Sequence, residues 1–335
     1  MTDTTITRSP AAVTAWAQRL VEPALRRITE SLPEEMRLLA EYHFGWCDAQ
    51  GTPVTGGGGK LLRPAMTLLA AQAVGADAGQ AISGASAVEL VHNFSLLHDD
   101  VMDRDATRRH RPTAWTVFGI GPAVLAGDLL LSLAYEELAE RPAASRLLGG
   151  AVLDLLAGQS ADLAFMSGAD ISRADSVKMA LGKTAALLGC SAALGALDGG
   201  GTQDQVERLQ TFGTKVGLAF QHVDDLLGIW GDPSVTGKAV YSDLANRKRS
   251  LPVVAALTSE GPAAAEFAEL YGEEGTIDLV RAAVLIEAAG GRDWSRAEAD
   301  RLLAEALAEL DTAWPGSAAA TELAALAGLL VHRSY

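Results

Sequence analysis

Only two cysteines, Cys47 and Cys190, stand in 335 residues, too few and too far apart for a disulfide framework or a zinc site, so a reducing, cytoplasmic compartment is expected. Positive charge is also scarce. The 27 Lys and Arg against 42 Asp and Glu give a formal net charge of −15, which argues against nucleic acid as the main partner and against adhesion to anionic lipid. The opening MTDTTITRSPAAVTAW has no basic-then-apolar leader pattern. The longest apolar run, Ala185 to Leu197, is interrupted by Gly189 and Ser191 and falls short of a membrane span. Aromatics are only 5% of the chain, no stretch alternates with period two for long enough to demand a strand, and no heptad seam, short repeat or low-complexity tail occurs.

What the chain has is alanine, leucine and helical periodicity. With 49% hydrophobic residues it can bury a substantial core. Val13, Trp16, Leu20, Leu25, Ile28 and Leu32 recur at threes and fours from Pro10 onward. Further helices are predicted over 66–74, 81–98, 125–138, 148–165, 179–197, 206–230, 251–257, 263–271, 279–289, 297–310 and 318–331. The expected fold class is all-α, one domain over 1–335 with more than ten helices. A loop over 48–59, rich in Gly and Pro, delivers Lys60 and Arg63 to the entry of a helix with Pro64 in its first turn. Free backbone N–H groups joined by cations can hold phosphate there.

Two acidic motifs break the apolar helices. In HNFSLLHDDVMD, Asp99 and Asp103 are four residues apart and lie on one helical face, where like charges repel by a few tenths of a kcal/mol. Mg²⁺ suits such a pair, because it prefers hard oxygens and is usually held by one or two carboxylates plus substrate phosphates. Arg108 and Arg109 follow, and guanidinium forks match phosphate oxygens. A single motif of this kind could be a solvated helix end. A second acidic pair, Asp224-Asp225, sits on another apolar segment, and ionised carboxylates are almost never buried without partners. Two such helices facing each other across a metal-filled cleft is the economical reading. His92, two turns before Asp99, lies on nearly the same face. Gln159 and Asp162 are embedded in an apolar helix, where a structural hydrogen bond and a substrate contact are equally open.

The ordered blocks GGKLLRP, HNFSLLHDDVMD with RRHRPT, GQSADL, GKTAALLG, FQHVDDLLGIWGD and TGKAVYSDLANRKRSLP run from about Tyr42 to Pro252. In these the sequence resembles the all-trans polyprenyl diphosphate synthases, also called polyprenyl synthetases. The resemblance implies a large helical bundle of the isoprenoid synthase type with a central cavity, usually homodimeric. It also implies Mg²⁺-dependent condensation of isopentenyl diphosphate with an allylic diphosphate. Asp99, Asp103 and Asp224 match the ligands of three Mg²⁺ ions, with Asp225 in support. Arg108, Lys183, Lys238 and Lys248 match the cations on the allylic diphosphate. Lys60, Arg63, His92 and Arg109 match those on isopentenyl diphosphate, and Thr184 and Gln221 match polar groups near the reacting carbons.

The sequence departs from the family pattern in several places. Gly228 stands where a third Asp is common in the second motif, and Ala239 and Tyr241 interrupt the usual GKPxGSD. His110 replaces the Gly of RRGxPT, and Met166 replaces an acidic residue. Phe94 and Ser95, five and four residues before the first aspartate, occupy the positions under the growing tail. One ring and one small residue resemble short-chain enzymes making geranylgeranyl diphosphate (C20) ahead of farnesyl diphosphate (C15). Two alternatives share the helices. A terpene cyclase would have no use for a second diphosphate pocket, and a non-catalytic subunit would usually have lost aspartates that are retained here.

Overall fold

The computed structural model describes residues 7–54, 59–166, 171–233, 239–272 and 275–332. The structure is helical almost throughout, as the composition predicts. Among the described residues, extended pairing is confined to a hairpin, Thr107–Arg108 with Arg111–Pro112, and a bridge between Cys47 and Pro53. Both are too short for a period-two signal.

The chain divides into two compact units. The first comprises Met1–Gly150, Cys190–Gln210 and Trp314–Leu326, and the second Ala151–Gly189, Thr211–Ala313 and Ala327–Tyr335.

In the first unit the Pro10–Glu30 helix starts on Ser9, whose hydroxyl accepts from the Ala12 N–H, with Pro10 at the first helical position. The Glu34–Phe44 helix stops at Gly45, whose φ of 80° is the left-handed geometry that favours glycine at a helix end. The core is built around Leu62–Ala73, Ile82–Met102 and Ile120–Glu136, through Leu68, Leu69, Leu90, Leu97 and Leu130, all fully buried. Arg8 binds the nearly buried Glu322 through its backbone N–H at 2.7 Å and its guanidinium, and also reaches Gln72.

In the second unit, Leu251–Leu257, Pro262–Gly272, Leu279–Ala288 and Gly291–Ala313 pack around Ile229, Leu244, Val253, Phe267 and Ile286. Helix Gly291–Ala313 starts six residues before the expected 297, because its first turns, GRDWSR, are charged and hide the periodicity. Helix Arg173–Ala180, begun by a Ser172–Asp175 capping box, runs on through a π-helical turn, Leu181–Ala185, into Ala186–Asp198. The apolar run read as too short to span a membrane is thus part of a longer helical stretch. By length and composition Arg173–Asp198 and Pro142–Met166 could each cross a bilayer, with 72% and 39% of their apolar windows buried. The first figure is that of a core helix.

Glycine sets how closely the site-bearing helices approach. A Cβ on Gly158 would lie 2.2 Å from the Lys183 backbone nitrogen, and one on Gly217 would lie 2.6 Å from Ala185 Cα. Without these two glycines the π turn carrying Lys183 and Thr184 could not meet its neighbours. Gly158→Ala is therefore expected to destabilise by about 1–3 kcal/mol or more through overpacking. Gly150→Ala, on the same helix with nothing within 4 Å of its Cβ, should stabilise by about 0.5–1 kcal/mol. Thermal melts of the two variants should move in opposite directions.

Candidate active site

The first unit carries the first acidic motif at the C-terminal end of Ile82–Met102. Asp103 caps this helix in αR conformation, and its N–H donates to the Asp99 carbonyl at 2.8 Å. The two residues therefore keep the expected i, i+4 relation at the negative end of the helix dipole, where carboxylates are least favoured. Asp100, between them, is buried. Burial raises its pKa against the opposing effect of Arg108, which donates to Asp100 Oδ1 from Nε at 2.7 Å.

Arg108 and Arg109 ride on the short hairpin, and the end of Glu34–Phe44 holds that hairpin in place. Arg111 donates to the Tyr42 carbonyl at 3.2 Å and the Cys47 carbonyl at 2.7 Å, its guanidinium lies over the Tyr42 ring, and the Tyr42 hydroxyl donates to the Pro112 carbonyl at 2.8 Å. A cavity of about 20 Å³, room for one water, opens among Tyr42, His43, Asp100, Arg108, Arg109 and Arg111.

His92, two turns before Asp99 on nearly the same face of this helix, lies close enough to Arg63 and Arg109 to feel their charge. The His92 pKa falls well below its ordinary value, first through burial and then through Arg63, Arg109, Arg108 and His43. His92 is therefore a neutral hydrogen-bonding group among cations. A Cβ on Gly59 would lie 2.9 Å from the Arg109 guanidinium, so the glycine preceding Lys60 lets that group lie against the backbone. Lys60, the residue after Gly59, is exposed.

Two residues here escaped the sequence reading. Glu89 is 3% exposed, and its carboxylate accepts from Asn93 Nδ2 at 3.0 Å. Burial raises its pKa, while Arg63, Asn93 and Arg109 pull the other way, so Arg63 and Arg109 are the cations that act on it. His43 is pushed down to about 3 by burial, then Arg109 and Arg108. The available signal for Glu89 was a lone ionisable residue, one turn before His92, in the apolar run GASAVELVHNF.

Phe94 is buried, edge-on to the His98 ring with 4.8 Å between centroids. His98 in turn meets the Val124 carbonyl at 2.9 Å, in space left by Gly127. Ser95 is half-buried and donates to the His92 carbonyl.

The second unit brings together Lys183, Thr184, Gln221, Asp224, Asp225 and Lys248. Lys183 Nζ lies 2.5 Å from Asp162 Oδ2, so Asp162 is at least an ion-pair partner. Thr184 Oγ1 donates to Gln221 Oε1 at 2.5 Å, Gln221 Nε2 donates to Asp225 Oδ1 at 2.7 Å, and the Leu251 N–H donates to Asp225 Oδ2 at 2.8 Å. This chain fixes the Gln221 amide with its carbonyl toward Thr184. Asp225 is pushed up to about 7, by burial first and by Asp243, with Lys248 opposing. Burial acts to lower the Lys248 pKa, but Asp243, Asp225, Asp162 and Asp224 together raise it above the ordinary value. Asp224 itself is exposed. Both nitrogen and oxygen of the buried Gln159 amide lack partners. Lys238 lies outside the described residues.

Among the described residues no three His, Cys, Asp or Glu side chains converge into a ready-made metal cage. The accessible donors are hard carboxylate oxygens, half-buried on Asp99 and exposed on Asp103 and Asp224. This donor set fits Mg²⁺, which keeps several waters and completes its shell with substrate phosphates.

The family described as polyprenyl synthetase matches residues 45–286 of the chain. A (2E,6E)-farnesyl diphosphate synthase of Mycobacterium tuberculosis is 46% identical over 339 residues, covering 98% of this chain and 94% of that protein. A geranylgeranyl diphosphate synthase of the same organism is 45% identical over 322 residues, covering 93% and 90%. The crystal structure of a polyprenyl synthetase from Streptomyces coelicolor superposes with a TM-score of 0.90 at 42% identity, covering 96% of this chain and 99% of that one.

The hairpin explains one departure noted in the sequence. Its two-residue loop, Arg109-His110, has φ of 51° and 61°, the left-handed pair of a tight hairpin turn in which glycine is favoured second. His110→Gly is expected to stabilise the protein by roughly 1 kcal/mol, read as a higher melting temperature.

Proposed function

Since the chain belongs to the polyprenyl synthetase family, whose members are prenyltransferases, we propose that it condenses isopentenyl diphosphate with allylic diphosphates to give geranylgeranyl or farnesyl diphosphate. We read residues 1–335 as one synthase domain to which both units contribute. The observation that carries this reading is that one unit holds more fixed cations than a single diphosphate needs, and they fall into two sets of groups suited to phosphate oxygens. One is the aspartate pair Asp99/Asp103 with Arg108; the other is Arg63, His92 and Arg109 around Glu89, with Lys60 on the same loop-to-helix entry as Arg63. A cyclase that ionises a single diphosphate has no need of the second set.

In this reading Asp99, Asp103 and Asp224 hold Mg²⁺, three ions per site, whose chemistry is neutralisation of charge on the leaving diphosphate. Arg108, Lys183, Lys238 and Lys248 grip that same diphosphate as the C–O bond breaks, where fixed cations in a site that excludes water act most strongly. The Lys183–Asp162 and Arg108–Asp100 pairs aim two of these cations before substrate arrives. Lys60, Arg63, His92 and Arg109 position isopentenyl diphosphate so that its double bond meets the allylic cation, which is catalysis by orientation. Thr184 and Gln221, locked by their mutual bond and by Asp225, present oxygen atoms near the cationic carbons. Loss of a proton from the resulting cation, with the departed diphosphate as base, forms the trans double bond. Phe94, backed by His98, ends the tail's path, with Ser95 beside it.

The protein is expected to work in the cytoplasm as a homodimer. Apolar side chains left open at Ile120 (57% exposed), Leu125 (56%) and Leu153 (70%) would suit coverage by a second copy.

The deciding experiment incubates the protein with Mg²⁺, labelled isopentenyl diphosphate and, separately, C5, C10 and C15 allylic diphosphates, then sizes the dephosphorylated alcohols. Label in a C15 or C20 alcohol is the expected result. A hydrocarbon released from an allylic substrate alone, with no label incorporated, would identify a cyclase instead. Asp99→Ala and Asp224→Ala should each lower turnover by about 10²–10³-fold or more while the melting temperature holds, since each removes a surface ligand and little core volume. Phe94→Ala should yield a longer product in the same assay; an unchanged product length would place the end of the tail elsewhere.

A further inference from the structure

A guanidinium and a carboxylate commonly meet fork to fork, two N–H donors on two oxygens. Arg108 meets Asp100 differently. Its Nε and Nη2 both lie 2.7 Å from Oδ1, so one oxygen takes both donors and Oδ2 takes neither. Asp100 is 1% exposed, and its Oδ2 is buried without a partner among the described residues. A buried carboxylate oxygen left unbonded is costly and calls for an explanation.

The cavity of about 20 Å³ described above lies beside it, and His43 is on its opposite wall, contributed by a different helix, Glu34–Phe44. His43 Nε2 is likewise buried and unpartnered. Two orphaned polar atoms thus belong to residues lining one small space, and the space is held open. Arg111, also in its wall, is committed to the Tyr42 and Cys47 carbonyls. The Asp105 N–H donates to the Asp100 carbonyl at 3.0 Å, and the Asp105 carbonyl accepts from Thr113 Oγ1 at 2.7 Å and Trp115 Nε1 at 2.8 Å. The segment between Asp100 and Trp115 therefore cannot settle inward to satisfy the two atoms itself.

We propose that this cavity is the site of one ordered water, bound to Asp100 Oδ2 and His43 Nε2, and that His43 is a positioning residue for Arg108. The volume suits one molecule, which needs about 10–15 Å³ and two to four polar partners. A cation there would face the guanidinium groups of Arg108, Arg109 and Arg111, and an anion would face the Asp100 carboxylate. Neutral water meets neither repulsion. It donates to the carboxylate, and it can donate to or accept from a neutral imidazole nitrogen. With Oδ2 held by water and Oδ1 by Arg108, the carboxylate plane is fixed from both ends and the guanidinium keeps its aim. The diphosphate at which Arg108 is aimed rests on the synthase reading; the water site does not.

The test has two readouts, neither of which needs turnover. A high-resolution crystal structure of the parent should show one water within hydrogen-bond reach of both atoms, and a dry cavity would overturn the proposal. Calorimetry then measures the binding of inorganic diphosphate with Mg²⁺ to the parent, His43→Phe, His43→Gln, Arg108→Gln and the double variant His43→Phe/Arg108→Gln. His43→Phe, which has no ring nitrogen, should bind about tenfold more weakly, the worth of one hydrogen bond to a charged group. His43→Gln keeps a polar end and should keep the parent's affinity. On the Arg108→Gln background the His43→Phe change should cost nothing further, because the group it aims is gone.

An undiminished loss in the double variant would mean that His43 acts through shape alone, and the positioning role would be lost. Parent-like binding by His43→Phe, or a parent that does not bind diphosphate, would end that role too. Should His43→Phe fail to fold, His43→Leu makes the same comparison. A parent that holds the water and shows the coupling but incorporates no isopentenyl label sinks the synthase reading and leaves this one standing. Normal incorporation together with a dry cavity brings down this inference alone.

Discussion

Negative charge at the wrong end of an apolar helix is the constraint around which this protein is arranged. Asp99, Asp100 and Asp103 occupy the C-terminal turn of Ile82–Met102, where the helix dipole and the last carbonyls already concentrate negative potential. Asp224 and Asp225 lie in the last two turns of Gln203–Trp230. Neither arrangement contributes to folding stability in its own right, so each needs cations nearby. Within each unit they are present: Arg108 on Asp100 in the first, and Lys248 among four carboxylates in the second. Both clusters combine fixed cations with carboxylates still open to solvent, a condition that suits a ligand bringing both metal and phosphate.

Placing those groups is the work of residues with little or no side chain. Gly158 and Gly217 let helices close on the π turn, and that closeness is what brings Lys183 to Asp162 and Thr184 to Gln221. Gly59 admits the Arg109 guanidinium, and Gly127 the His98 ring. Tyr42 and Arg111, by contrast, position through bonding: their side chains are committed to the hairpin and the helix end, so that Arg108 and Arg109 are left facing the pocket.

Much of this was legible in the sequence. Helices over 251–257 and 318–331 match their predicted bounds, because each is a mostly apolar segment set between polar or breaking residues, Ser250 and Thr258 for the one, Pro315-Gly316-Ser317 and His332 for the other. The acidic motifs, the basic loop and Lys183-Thr184 were all visible, because ionisable residues on apolar helices stand out. Glu89 and His43 were hidden for the opposite reason. Each matters through neighbours distant in sequence, Arg63 and Arg109 for the one, Arg108 and Arg109 for the other, and no local pattern reports such pairing. The hairpin went unseen because two-residue strands have no period. That the Asp243 carboxylate lies beside Gly228 was hidden too, because the turn that brings it back to the helix has no local pattern.

The contact between Arg8 and Glu322 reaches beyond architecture into how the molecule can be handled. Glu322 is 4% exposed, and Arg8 neutralises it from the short stretch before the first helix. Removing that stretch would leave a carboxylate stranded in apolar surroundings, at a cost of about 3–5 kcal/mol. The helix itself begins only at Pro10, so a shortening planned from secondary structure alone would cut two residues too late to be safe. The practical edge of the folded protein is set here by a charge, ahead of the first helical residue.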